Sequence, residues 1–155
     1  MRKMRRKDRE LSKEATLEVI DKSAYSVMAT VNSDGSPYCI PISPAREGEW
    51  LYFHSALEGQ KIDNLRGSSR VCISCVGDHD AIPGKFALKF ESAVIAGTAQ
   101  EVTDGDEKLS ALRLISERYT PDNMAAFDKA IESDYDLTSV WKIHMDEISG
   151  KARRQ

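Results

Sequence analysis

The chain has 155 residues, of which 41% are hydrophobic and 30% are charged, and its formal net charge is −3. This composition predicts one globular domain over residues 1–155 and excludes a disordered or fibrous chain. No apolar run is long enough for a membrane span, and no apolar leader follows the basic start, so we expect a cytoplasmic protein without membrane contacts.

The first third of the chain predicts a helix followed by a β-hairpin. Ser12 can cap a helix that ends near Ser23. The β-prone segments 25–31 and 38–43 flank a turn at 33–37. Pro41 has no N–H to donate, so the second strand of this hairpin is expected at an edge or a bulge of the sheet.

The next segments predict more strands around one short helix. In the aromatic strand from Trp50 to Ser55, alternation puts His54 on the face of Trp50 and Tyr52, opposite Phe53. A helix over about 60–66, a strand over 70–76, an exposed loop over 77–84 and a long strand over 85–102 follow. Gly97 predicts a bulge or bend in that long strand.

The last third predicts two helices and a closing strand. Asp104 can cap a helix to about Tyr119, Pro121 can open another, and residues 139–145 alternate as a strand. Several antiparallel strands with few helices between them favour a closed or nearly closed barrel, because closure removes exposed sheet edges.

Neither the cysteines nor the charged ends predict a separate functional site. Cys39, Cys72 and Cys75 are expected to be small buried residues in a reducing compartment. Within a strand, Cys72 and Cys75 point to opposite faces, so we expect no metal site.

The basic ends, 1–10 and 150–155, are predicted to be solvated tails. A weak contact with nucleic acid or a partner subunit is the alternative, although the chain lacks a nucleic-acid reading surface.

The junction of the aromatic strand and the short helix predicts an anion site. Unpaired N–H groups at a helix start attract phosphate, and Ser55 and Lys61 could add a hydroxyl and a full charge. The spacing matches neither a Walker loop nor a dinucleotide fingerprint. A solvent-exposed helix lysine is the alternative for Lys61.

Three strings of residues resemble the FMN-binding split β-barrel proteins related to pyridoxamine 5′-phosphate oxidase, and most closely their nitroimidazole-resistance, or nitroimidazole reductase-like, branch. The resemblance implies a mainly β fold, a six- to seven-stranded antiparallel split β-barrel with flanking helices. The strings are Ala29-Thr30-Val31-Asn32-x-Asp34-Gly35-x-Pro37-Tyr38, Tyr52-Phe53-His54-Ser55-Ala56-x-Glu58-Gly59-x-Lys61-x-Asp63-Asn64 and Gly150-Lys151-Ala152-Arg153.

The resemblance further implies a homodimer with FMN at the subunit interface, where one chain holds the phosphate and the other partly covers the ring. Trp141 could shield the ring, and core packing is its alternative. The other implied cofactor contacts are Ala29 and Thr30 along the flavin, Phe53, His54 and Ser55 at the strand end, Lys61 and Asn64 on the phosphate-side helix, and Ser92 on the long strand.

The expected function is an FMN-dependent oxidoreductase. It would reduce a small organic acceptor, such as a nitroaromatic of the 5-nitroimidazole type, with a nicotinamide or another reductant. His54 has two interpretations, a structural residue packed among aromatic side chains, or a residue that hydrogen-bonds the cofactor or donates a proton to the substrate. The alternatives are a non-enzymatic flavin-binding or regulatory protein, and a split-barrel protein that binds haem or a deazaflavin.

Two features depart from the family pattern. One is the run Ile42-Ser43-Pro44-Ala45-Arg46. The other is the lack of an evident counterpart, near the C-terminus, of the residues that hold the substrate phosphate in the oxidase, and this second departure argues against oxidation of a vitamin B6 phosphate.

Overall fold

The computed structural model describes residues 1–154. Three short 3-10 turns, Lys7–Arg9, Pro121–Ala126 and Tyr135–Leu137, accompany the main elements. In chain order, these are α1 (Lys13–Lys22), β1 (Ser26–Val31), β2 (Pro37–Ile42), β3 (Ala45–Glu47), β4 (Trp50–Ala56), α2 (Gln60–Gly67), β5 (Arg70–Ala81), β6 (Leu88–Glu101), α3 (Gly105–Tyr119), α4 (Phe127–Asp134) and β7 (Thr138–Arg153).

The seven strands form one antiparallel sheet in the order β2-β1-β5-β6-β7-β4-β3. Within residues 1–154 the two outermost strands, β2 and β3, do not pair with each other, so the curled sheet remains open. The chain is therefore a split β-barrel, as the sequence predicts. Pro41 lies on the edge strand β2 opposite Val27, which confirms the edge expected from its missing N–H.

Two apolar clusters lie on opposite faces of the sheet. The barrel interior holds inward side chains of six strands together with Ile20 of α1 and Ile62 of α2. On the outer side of β3, β4 and β7, α3 and α4 cover a second cluster that includes Tyr52, Ile115 and Phe127. The alternation predicted for β4 is confirmed, because Phe53 belongs to the interior cluster and Tyr52 to the outer one.

Both predicted helix caps are present. The Ser12 hydroxyl accepts a hydrogen bond from the Ala15 N–H at 3.2 Å, and the Asp104 carboxylate accepts one from the Glu107 N–H at 2.8 Å. Each cap satisfies an N–H group that the first helical turn leaves without a partner, so α1 and α3 start where the sequence places them.

Several predicted boundaries are wrong for identifiable reasons. The loop expected at 77–84 is mostly strand, because β5 shifts register between Val76 and His79 and then continues to Ala81. This part of β5 and β6 forms a two-stranded arm whose exposed faces lack an apolar alternation. The short edge strand β3 was not predicted, and the helix expected to open at Pro121 begins as a 3-10 turn before α4.

The prediction of solvated basic tails is also wrong over the residues that enter secondary structure. Residues 150–153 form the end of β7, which runs to Arg153 beside β6. Residues 7–9 form a 3-10 turn, and Glu10 makes an isolated β-bridge with Lys151. Pairing of these polar residues with a distant strand leaves no local signal in the sequence.

The cysteine prediction holds in part. Cys75 is buried and Cys72 is exposed, which confirms that the CxxC cysteines point to opposite faces, but the expected burial is wrong for both Cys72 and Cys39. Among residues 1–154, no group of three or more His, Cys, Asp or Glu could hold a metal ion. A search of the same residues also finds no helix with the length and apolar character needed to cross a membrane.

Gly97 marks the predicted irregularity in β6, where the register against β7 shifts between Ala96 and Gly97. A Cβ at this position would lie 2.6 Å from the His144 carbonyl oxygen and 2.6 Å from Cγ2 of Ile143. We therefore expect Gly97→Ala to lower the free energy of unfolding by about 1–3 kcal/mol, measured by urea denaturation. Gly67→Ala is the matched control, since nothing lies within 4 Å of that Cβ. An unchanged stability of Gly97→Ala would contradict the close approach of β6 and β7.

Candidate functional site

A hydrogen-bond network joins the start of α2 to the end of β1. The Asn64 amide donates to Oγ1 of Thr30 at 2.9 Å and to Oδ1 of Asn32 at 2.8 Å. The Gln60 amide donates to Asn32 at 3.1 Å and to Asn64 at 3.0 Å. Thr30 and Asn64 are 3% and 4% exposed, so they hold α2 in position from within the protein.

The start of α2 has the geometry of an anion site. Its N-cap, Gly59, has a φ of 128°, which favours glycine, and no side chain caps the helix. The first-turn N–H groups therefore lack a side-chain acceptor and carry the positive end of the helix dipole. Ser55 lies just before this turn, and its carbonyl accepts a hydrogen bond from the Ser139 hydroxyl at 3.2 Å.

Lys61 places a cation in the first turn of α2. Its Nζ lies 5.4 Å from the centroid of the Phe53 ring, and its side chain is half-buried. Desolvation lowers the pKa of Lys61, and none of the ion pairs within residues 1–154 includes it. A partly buried ammonium without a carboxylate partner is costly, so a bound anion would stabilise it.

His54 lies on the opposite face of β4 and borders a cavity of about 160 Å³ under α3 and α4. The lining is mainly apolar and includes Ile115, Phe127 and Ile131. Desolvation, and then the charge of Lys61, lower the pKa of His54. Both effects favour the neutral imidazole, which can donate one hydrogen bond and accept another.

Trp141 lies in the barrel core, on the strand next to β4. It pairs with Phe53 across β4 and β7 and is 3% exposed, which is the position of a core-packing side chain. Its buried Nε1 has no hydrogen-bond partner among residues 1–154. A buried donor without a partner costs free energy, so this indole N–H is a local weakness of the core packing.

The structure does not bring Ser92 to the α2 site within one protomer. Ser92 lies opposite Lys151, seven residues along β6 from Ala99, which lies beside the end of α2. This separation is roughly 20 Å at the usual rise of a strand. The side chain of Ala29 also points away from the α2 site. It lies on the face of β1 opposite Thr30, which is the residue that contacts α2.

Ala29 and Ser92 instead share an uncovered surface, which we call the outer face. On β1, β5 and β6, outward positions alternate with the buried interior ones, and no helix packs over them in residues 1–154. The residues are small or apolar, and Val76 is 54% exposed. Cross-strand pairs align them in rows, with Ala29-Cys72-Ala96 in one row and Val27-Ser74-Val94 in the next.

The open, seven-stranded antiparallel sheet with its flanking helices defines a split-barrel protein. The family model described as pyridoxamine 5′-phosphate oxidase matches residues 12–152. The chain therefore belongs to the pyridoxamine 5′-phosphate oxidase family, and the family prediction is confirmed. No curated protein matches the sequence.

Solved structures from several bacteria share the fold. A candidate 5-nitroimidazole antibiotic resistance protein from Bacteroides thetaiotaomicron is 28% identical, with a TM-score of 0.78 over 92% of this chain and 86% of that one. An FAD-binding protein from Mesorhizobium loti is 22% identical, with a TM-score of 0.63 over 94% and 97% of the two chains. An FAD- and haem-binding protein from Mycobacterium smegmatis is 21% identical, with a TM-score of 0.80 over 93% and 72%.

Two features of the site were not predicted. Asn32 and Gln60 complete the network that holds α2, although neither was assigned a role from the sequence. The spacing of Gln60 and Asn64, four residues apart on one helix face, was the available signal. The outer face had no such signal, because a strand pattern does not show whether another layer covers it.

Proposed function

We propose that the protein is an FMN-dependent oxidoreductase that reduces a small organic acceptor, such as a nitroaromatic of the 5-nitroimidazole type. The observation that carries this proposal is the unpaired, half-buried Lys61 in the first turn of an α2 helix that has no side-chain cap. A phosphate dianion would satisfy both the ammonium and the free N–H groups. The similarity to a candidate nitroimidazole resistance protein supports the acceptor class.

The residues present fit FMN. Lys61, Ser55 and the N–H groups after Gly59 would hold the phosphate. Bound FMN would supply the hydride or electron transfer. The protein's own part is to orient the cofactor and to exclude water with the buried side chains around Phe53, while His54, on the other face of β4, would be the proton donor.

The same proposal includes a homodimer with FMN between the subunits. The side chains of the outer face are small or apolar, which suits close packing against the outer face of a second copy. Ser92 lies on this face, roughly 20 Å along β6 from Ala99, which lies beside the end of α2, so its role as a flavin contact is proposed toward a second protomer. Phe86, fully exposed at the tip of the β5–β6 arm, is a further apolar group available to a partner.

The test is the ligand and the activity of the purified protein. We expect a flavin absorption spectrum, a released ligand with the mass of FMN, and oxidation of reduced nicotinamide that depends on a nitroaromatic acceptor. If the released ligand is FAD, haem or a deazaflavin, the cofactor is that molecule and the assignment of FMN is wrong. Bound FMN without turnover across a broad acceptor panel would favour a non-enzymatic flavin-binding or regulatory protein. Full turnover by FMN-loaded His54→Ala would remove the catalytic role of His54.

His54 is expected to make FMN binding depend on pH. Its pKa lies below the ordinary value in the free protein, and a phosphate beside Lys61 would raise that pKa by favouring the imidazolium. Binding then takes up a proton, so the affinity should increase as the pH falls from 7.5 to 6.0. Relative to His54→Gln, we expect an increase of about threefold, measured by quenching of FMN fluorescence. Because the phosphate also titrates near pH 6, the comparison with His54→Gln isolates the histidine; parallel pH profiles would contradict the coupling.

A further inference from the structure

The cavity of about 160 Å³ under α3 and α4, which we call the α4 cavity, is not used by the proposed phosphate contacts. Its walls are mainly apolar, with Leu112 and Ile115 on α3 and Phe127 and Ile131 on α4. An apolar cavity of about 150 Å³ is large enough to hold a molecule of the size of benzene. The α4 cavity therefore has room for one substituted ring but not for a flavin or a nucleotide.

One polar side chain borders this apolar space without a partner. His54 is part of the lining, and no hydrogen bond within residues 1–154 engages its ring. Desolvation and the charge of Lys61 lower the pKa of His54, which favours a neutral ring with one donor and one acceptor nitrogen. A ligand in the cavity can therefore form a hydrogen bond that the protein itself leaves unmade.

The charge of the lining selects against ions. Asp134 is the only lining residue with a formal charge, and it is exposed to solvent, where water screens it. Neither Lys nor Arg is among the residues that the structure places around the cavity. A carboxylate or an ammonium inside would lose its hydration without a buried counter-charge, so the cavity favours an uncharged ligand.

The α4 cavity lies at the same end of β4 as the start of α2. Thr138 lines it and pairs with Ala56, which precedes the α2 N-cap Gly59 by three residues. The helix α4 is a weakly held wall, because no side chain caps it and Phe127 is its one buried residue. A short helix with a single buried anchor can open locally and admit a ligand.

We propose that the α4 cavity binds the acceptor, and that it selects a small, uncharged, single-ring heteroaromatic molecule that accepts a hydrogen bond from His54. This inference rests on the proposed function, since it gives the acceptor of that reaction a place and a basis for selection. The cavity volume limits the ligand to one ring, the apolar walls exclude charged molecules, and the imidazole favours a ring nitrogen or a nitro oxygen as its partner.

Calorimetric titration of the oxidised, full-length protein with 1,2-dimethyl-5-nitroimidazole, in the absence of a reductant, tests the proposal by binding alone. Ser116→Leu fills the cavity from α3, and we expect it to weaken binding about tenfold or more with an unchanged FMN content. Ala130→Leu fills it from an exposed position on α4 and covers the case in which Ser116→Leu does not fold. Ser110→Leu is the matched control, because Ser110 is an exposed residue of α3 outside the lining. A wild type that does not bind the probe, or filled variants that bind it equally well, would overturn the α4 cavity as the acceptor site.

Matched ligands test the basis of selection. We expect 4-nitrobenzoate, which adds a carboxylate, and 1-nitronaphthalene, which adds a ring, to bind about tenfold or more weakly than nitrobenzene. His54→Phe should weaken binding of 1,2-dimethyl-5-nitroimidazole about fivefold, the loss expected for one hydrogen bond, and should not weaken binding of toluene. Equal binding of nitrobenzene and 4-nitrobenzoate would contradict selection by charge, and equal losses for both ligands of His54→Phe would contradict the hydrogen bond.

The same measurements separate this proposal from the proposed function. Cavity-dependent binding to a protein that contains no FMN would contradict the FMN-dependent reaction and keep the α4 cavity as a ligand site. Acceptor-dependent turnover that persists in Ser116→Leu and Ala130→Leu would keep the reaction and contradict the α4 cavity.

Discussion

Replacing Lys61 by methionine is expected to weaken FMN binding about 10- to 100-fold, the loss typical of one charge-assisted contact to a phosphate. Methionine keeps the apolar stem that packs near Phe53 and removes only the ammonium. Because desolvation lowers the pKa of Lys61 in the free protein, the charge is a cost there. The variant without cofactor should therefore be at least as stable as the wild type in thermal unfolding.

Riboflavin provides the decisive comparison for Lys61→Met, because it carries the same ring without the phosphate. We expect its affinity to be nearly unchanged, so that the loss appears only with FMN. Arg66→Gln is the matched control on the same helix, since Arg66 lies in the last turn and pairs with Glu101 at 3.5 Å. Equal losses for riboflavin and FMN would assign Lys61 to the ring or to folding and would contradict a phosphate clamp.

Replacing Val94 by glutamate is expected to convert the proposed homodimer to monomers. Val94 lies in the middle of the outer face, between Ser74 on β5 and Ser149 on β7. A carboxylate there would have to be desolvated without a partner when two outer faces pack together. We expect the dimer dissociation constant to rise on the order of 100-fold or more, measured by sedimentation velocity over a dilution series.

The same variant should lose FMN in parallel, because the proposed cofactor site includes both subunits. Leu137→Glu introduces the same charge at a residue that is 67% exposed and remote from the outer face, and it should remain dimeric with bound FMN. A dimeric Val94→Glu would show that the subunits meet elsewhere. A monomeric Val94→Glu that keeps its FMN affinity would show that one protomer holds the cofactor alone.

Local signals predicted most of the secondary structure and the centre of the candidate site. The caps at Ser12 and Asp104, the edge position of Pro41 and the bulge at Gly97 each follow from the chemistry of a single residue. Alternation along β4 correctly separated His54 from Phe53. The string from Tyr52 to Asn64 predicted a helix start just after the aromatic strand, and α2 indeed begins at Gln60.

Errors arose where a structure depends on distant pairing. The arm of β5 beyond Val76 is strand because β6 pairs with it, although its exposed polar residues resemble a loop. The hydrogen bond between Asn64 and Thr30, 34 residues apart in the chain, was likewise not predicted. A single sequence carries no direct record of such a pair, because either side chain would look the same with a different partner.

The sequence by itself determined the strand and helix periods and the caps, because these depend on neighbours within a few residues, and its motifs identified the split-barrel family. Only the tertiary structure decided that Trp141 is buried with an orphaned N–H, that Ala29 and Ser92 share an uncovered face, and that the two basic ends pair with each other. The physical reason is that periodicity reveals which side chains share a face, whereas burial and electrostatic potential depend on the distant elements that pack against that face or leave it open.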